Sequence, residues 1–91
     1  MQKRFRAVYS GRVQNVGFRY FAEANAQRLG ITGFVENLES GDVEVEAQGE
    51  EIPLEKYLAV LSAGNQFIQI FHVSLQEIPP LAAAKSFRCR W

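Results

Sequence analysis

Two residues of this chain are hard to explain as packing. Arg19 ends the run Gly11-Arg12-Val13-Gln14-Asn15-Val16-Gly17-Phe18-Arg19, and Asn37 ends the run Gly33-Phe34-Val35-Glu36-Asn37. A cation in the first turn of a helix opposes the helix dipole by roughly 0.3–1 kcal/mol. A bound anion, shared by the guanidinium and the unpaired N–H groups of the helix N-terminus, reverses that cost. Guanidinium also matches phosphate with two parallel hydrogen bonds. The N–H groups of Asn15, Val16, Gly17, Phe18 and Arg19, with the Arg19 side chain, therefore make a candidate phosphate cradle. A glycine-containing loop that ends in a solvated arginine would carry the same residues, so the spacing alone leaves both readings open.

These residues need a strand and a helix to position them. Upstream, Phe5-Arg6-Ala7-Val8-Tyr9 has the aromatic and β-branched content of a strand, predicted over residues 3–10. Downstream, Phe18, Phe21, Ala22, Ala26 and Leu29 recur at helical spacing, which predicts a helix from Arg19 to Leu29 closed by Gly30. The stretch between is a strand-to-helix loop. Phe34 to Leu38 and the alternating run Val43 to Gln48 then read as a hairpin around Gly41. Its alternation turns Val43, Val45 and Ala47 toward a core and Glu44, Glu46 and Gln48 toward a wet, acidic face.

A second helix follows, with Pro53 at its first position, a stripe of Leu54, Tyr57, Leu58 and Leu61, and Gly64 at its end. Phe67 to Gln76 reads as a strand with a bulge near Phe71, stopped by Pro79 and Pro80. Residues 85–91 supply the last strand. The order β-α-β-β-α-β places the chain in the α+β class as a ferredoxin-like sandwich, an antiparallel sheet with two helices packed on one face. With 91 residues, 47% of them hydrophobic, the expectation is one domain over residues 1–91.

Asn37 falls on the face of its strand that the helices cover. Asparagine is poorly represented in strands and costly to bury unpaired, so it needs a partner. Hydrogen bonding to the nearby turn would satisfy it, as would a polar site. Ten basic residues balance ten acidic ones and the pI is about 6.6, so no net charge pulls the chain toward nucleic acid or an anionic membrane. Glu36, Glu44 and Glu46 also stand where a nucleic-acid backbone would cross an open sheet face. Cys89 has no disulfide partner and reads as a small buried side chain. The only histidine, His72, has no second soft ligand nearby and reads as a strand surface residue, so no metal site is expected. Lys3, Arg4, Arg12 and Arg28 read as solvated charges. A soluble, cytoplasmic monomer is the expectation.

The run from Gly11 to Arg19 closely resembles the acylphosphatase signature Gly-x-Val-Gln-Gly-Val-x-Phe-Arg, with Asn15 in place of a glycine. Gly33-Phe34-Val35-Glu36-Asn37, followed by Gly41, Val43 and Gly49, resembles the second motif of that family, with Glu36 in place of a basic residue. Together they extend the resemblance over essentially the whole chain. It implies hydrolysis of the carboxyl-phosphate bond of small acyl phosphates to carboxylate and inorganic phosphate, with no metal and no cofactor. It further implies that Arg19 and the loop hold the phosphoryl group while Asn37 positions the attacking water. The alternative within the family is a weakly active or non-catalytic anion-binding module, made thinkable by Asn15 and Glu36. Asn is the best non-glycine substitute in the left-handed region, so the loop is expected to form.

Overall fold

The computed structural model describes residues 1–90, so Trp91, placed above in the last strand, lies outside the described residues. The elements are β1 (Gln2–Arg12), α1 (Phe18–Leu29), β2 (Thr32–Asn37), β3 (Val43–Glu50), α2 (Glu51–Ala63), β4 (Gln69–Ile78) and β5 (Phe87–Cys89). The five strands lie in the order β4-β1-β3-β2-β5. β1 pairs antiparallel with β3 and β4, and β3 with β2, which is the expected ferredoxin-like arrangement.

The sheet is nevertheless mixed rather than wholly antiparallel, because β5 runs parallel to β2, with Phe87 opposite Gly33. The register explains the direction. β4 ends with Ile78 opposite Arg4, Arg4 is opposite Gln48, and Gln48 is opposite Thr32, so the chain leaves β4 level with the start of β2. Crossing the sheet at that level, it enters the far edge beside the first residues of β2 and must run with them. Gln48 guides the crossing: its Oε1 accepts the Leu81 N–H at 2.8 Å and its Nε2 donates to the Leu81 carbonyl at 2.9 Å.

Val43, Val45 and Ala47 are fully buried with Ala7, Tyr9 and Val35, beneath Phe18, Ala22 and Ala26 of α1 and Leu54, Tyr57 and Leu61 of α2. The Tyr57 hydroxyl donates to the Ala22 carbonyl at 2.9 Å and ties the two helices together. α2 starts two residues earlier than expected, so Pro53 sits within its first turn, where a missing N–H costs no intrahelical bond. Gly30 caps α1 as expected.

The helix-free face differs from the wet, acidic surface that alternation predicts. Arg4 Nη2 lies 2.9 Å from Glu46 Oε1, and Arg6 Nε donates to Glu44 Oε2 at 2.6 Å. Arg4 and Gln48 are each only 4% exposed. Arg4 is thus a buried, paired cation rather than a solvated charge, and Gln48 is covered by the chain around Leu81. Lys3 pairs with Glu51 at 3.3 Å, while Arg12, Arg28 and His72 are exposed as expected.

The bulge is at Phe71. Ser10 opposes His72 and Gly11 opposes Ile70, which leaves Phe71 as the extra residue. Gly11 makes this possible: its φ is 135°, and a Cβ there would lie 2.3 Å from the Gln69 carbonyl oxygen. The irregularity falls where β1 turns into the Gly11–Arg19 loop, so it re-aims the chain toward the site.

Tyr9 gives a stability prediction. Its ring is fully buried and, among the described residues, its hydroxyl makes no hydrogen bond of good geometry. Burial pushes this phenol up to about 12, with the Ser62 hydroxyl pulling the other way. A phenol held neutral in this way leaves stability independent of pH below 10, the unfolded value, and lowers it as pH rises from 10 through 12, because the unfolded chain gives up its proton first. Tyr9→Phe is expected to raise stability at pH 7 by about 1 kcal/mol and to lessen the alkaline loss, measured by guanidinium unfolding at pH 7 and from pH 10 upward.

Candidate active site

Each end of the loop between β1 and α1 is anchored in the core. Val13 and Phe18 are both 1% exposed, and the Phe18 ring packs on Tyr9 with centroids 5.2 Å apart. Between them the backbone turns sharply. Asn15 has φ 62° and is the only non-glycine residue with positive φ among the described residues; Gly17, at φ 81°, caps the start of α1. The left-handed conformation expected at Asn15 is therefore adopted. Two such residues around Val16 curl the loop so that its N–H groups can converge. Among the described residues, none of the N–H groups from Asn15 to Arg19 makes a protein hydrogen bond of standard geometry, and the first well-aligned helical bond runs from Phe21 N–H to the Gly17 carbonyl at 2.9 Å.

Gln14 fastens this loop to the next hairpin. Its Nε2 donates to the carbonyls of Leu38 at 2.8 Å and Asp42 at 2.9 Å, at the turn that follows Asn37. That crosslink is not visible in the sequence, where Gln14 is merely one residue of a motif. On the other side, Arg19 Nη1 donates to the Arg90 carbonyl at 2.7 Å. Arg90 is itself held to β2: its N–H donates to the Val35 carbonyl at 2.7 Å and its guanidinium lies 4.1 Å from the Phe34 ring centroid. Arg19 is thereby oriented by one of its five donors, leaving others for an anion.

A pocket of about 260 Å³ opens at the junction of loop, helix and sheet. Asn15, Gly17, Phe18, Arg19 and Asn37 all line it. Val16 does not; its side chain packs against the core instead. Three further lining residues were not expected at the site: Tyr20, Glu23 and Cys89. The helical offset of Glu23 from Arg19, one turn, is the signal that could have found it. Cys89 corrects an expectation. Alternation puts it on the helix-covered face with Phe87, but β5 is an edge strand and Cys89 is exposed, on the pocket between that edge and the start of α1. The assembled groups are a cation, backbone donors and a neutral amide, suited to a phosphoryl group and a water beside it, with the Glu23 carboxylate also on the lining.

The acylphosphatase family profile matches residues 5–89. An acylphosphatase of Clostridium acetobutylicum is 44% identical over 88 residues, covering 97% of each chain. The chain belongs to the acylphosphatase family. The crystal structure of acylphosphatase from Bacillus subtilis superposes with a TM-score of 0.92 at 32% identity, covering 100% of both chains. An acylphosphatase from Coxiella burnetii superposes with a TM-score of 0.89, covering 98% of this chain and 93% of that one. The acylphosphatase relation thus spans the whole fold as well as the two motifs.

On this acylphosphatase scaffold, Gln14→Ala is expected to remove the second donor from the Leu38 and Asp42 carbonyls, which keep the Gly41 and Leu38 N–H groups, and to destabilise the chain by about 1 kcal/mol. Because the loop then loses its tie to the Asn37 hairpin, kcat for an acyl phosphate is expected to fall about tenfold. Guanidinium unfolding and steady-state kinetics on the same preparation check both.

Proposed function

We propose that this chain hydrolyses the carboxyl-phosphate bond of small acyl phosphates to a carboxylate and inorganic phosphate. One observation carries the reading: Arg19 from α1 and Asn37 from β2 meet the curled loop at one pocket. In the proposed step the Arg19 guanidinium and the N–H groups of residues 15–19 hold the phosphoryl oxygens. The Asn37 amide orients a water, whose oxygen attacks phosphorus in line with the departing carboxylate. The bond from phosphorus to the acyl oxygen breaks, its electron pair leaves on the carboxylate, and a phosphate oxygen takes the water's proton. A carboxylate leaves without a general acid, so positioning and charge stabilisation suffice and no metal or cofactor is required by this scheme. The left-handed Asn15 shows that the loop forms without its family glycine, which either reading needs; the retention of Asn37 beside Arg19 on the same pocket supports catalysis over an anion-binding module.

The chain is proposed to act as a single domain over residues 1–91, a cytoplasmic monomer with no nucleic-acid or membrane partner. Its balanced charge supports the absence of a nucleic-acid or anionic-membrane partner, and no helix among the described residues is long and apolar enough to cross a membrane. The test is hydrolysis of benzoyl phosphate by the full chain with a chelator present. Turnover is expected and is unchanged by the chelator. A folded protein that is protected by inorganic phosphate yet turns nothing over would be an anion-binding module.

A further inference from the structure

The in-line geometry just described leaves one half of the pocket without an assigned role. If the water stands beside Asn37, on the sheet side, the departing carboxylate and its acyl group must lie on the opposite side of phosphorus. Two pocket-lining residues, Tyr20 and Glu23, belong to α1 rather than to the sheet. They are three residues apart on one helix and are therefore surface neighbours. Tyr20 is 73% exposed although its ring is large and largely apolar, and it directly follows Arg19. Glu23 stands one turn beyond Arg19, yet among the described residues no ion pair joins them, and the Arg19 side chain hydrogen-bonds the Arg90 carbonyl instead. The pocket, at about 260 Å³, is smaller than the roughly 300–1,000 Å³ of sites that enclose drug-sized ligands. It can enclose a phosphoryl group and the first atoms of an acyl chain, while the rest of the chain leans on the rim.

We propose that Tyr20 and Glu23 form the acyl-side rim of the site and set its substrate class: acyl phosphates of flat, apolar monocarboxylic acids, with those of dicarboxylic acids disfavoured. The inference rests on the proposed acyl phosphate hydrolysis. The Tyr20 ring offers an open face on which a planar acyl group stacks, and the Glu23 carboxylate repels a second carboxylate carried by the substrate. Both are specificity-determining residues; neither touches the reacting phosphorus.

The test compares kcat/KM for acetyl, benzoyl and succinyl phosphate in the full chain and in Tyr20→Ala, Tyr20→Phe and Glu23→Gln, with Tm recorded for each. The benzoyl-over-acetyl ratio is expected to fall about tenfold in Tyr20→Ala, through KM rather than kcat, and to be kept in Tyr20→Phe. The succinyl-over-acetyl ratio is expected to rise about threefold in Glu23→Gln, and the same ratio in the unchanged chain to rise with added salt. Ratios that stay fixed in Tyr20→Ala and Glu23→Gln would overturn the rim while leaving the proposed hydrolysis intact. No hydrolysis of any of the three by the folded, unchanged chain would overturn the hydrolysis and the rim together.

Discussion

Arg19→Ala is expected to lose phosphate binding and turnover together while the fold survives. The side chain lies at the surface of the pocket, outside the buried cluster of Phe18, Ala22 and Ala26, so its removal opens no cavity. It also removes a cation from the first turn of α1, which relieves the helix dipole by a few tenths of a kcal/mol. Tm is therefore expected to hold, apart from the lost bond to the Arg90 carbonyl. Activity behaves differently, since the guanidinium meets charge that grows on the phosphoryl oxygens. Loss of a single preorganised donor costs about 10²–10³ in rate, and loss of a charged, forked one at a phosphoryl centre about 10³ or more. Inorganic phosphate should raise Tm of the unchanged chain and leave Arg19→Ala unmoved. Arg19→Lys should recover little, because an ammonium is a point charge without the planar fork. An Arg19→Ala protein with near-normal kcat/KM would remove this residue from the site.

Asn37→Ala separates the two halves of the account. The amide stands at the end of β2, half-buried, on the same pocket as the loop but outside it. If it orients the water, turnover falls by about 10²–10³ while phosphate still protects the protein against heat. If it contacts the phosphoryl group instead, binding and turnover fall in step. Asn37→Asp keeps the shape but adds a negative charge beside the anion, and is expected to weaken phosphate protection as well as rate. Full turnover in Asn37→Ala would refute the water-positioning role.

Much of this was legible because the relevant physics is local. The period-two pattern of Val43, Val45 and Ala47 is a direct image of one buried sheet face, and all three are fully buried. Gly30 and Gly64 mark helix ends because few other residues close a helix so readily, and Pro79 and Pro80 stop β4 because they bring no N–H to a ladder. Arg19 and Asn37 stood out as polar residues whose positions cost something, and the pocket brings them together.

What sequence could not give depends on contacts far apart in the chain. Alternation puts Arg4 and Gln48 on the solvent side, and only the crossing of the chain near Leu81 buries them. The pairing of Arg4 and Arg6 with Glu46 and Glu44 needs the β1–β3 register. The parallel direction of β5 follows from where β4 ends, which no local pattern encodes. Cys89 is exposed because β5 is the edge strand and the pocket opens beside it, a matter of tertiary placement rather than of periodicity. Gln14 bonds two carbonyls from another hairpin, so its part in holding the site is invisible until both are placed.

The measurement that bears most directly on the central claim is hydrolysis of benzoyl phosphate by the full chain in water enriched in oxygen-18. Attack by a positioned water on phosphorus predicts one labelled oxygen in the inorganic phosphate formed and none in the benzoate. Label in the benzoate would mean attack at the carbonyl carbon, and would contradict the assignment of the loop, Arg19 and Asn37 to a phosphoryl centre.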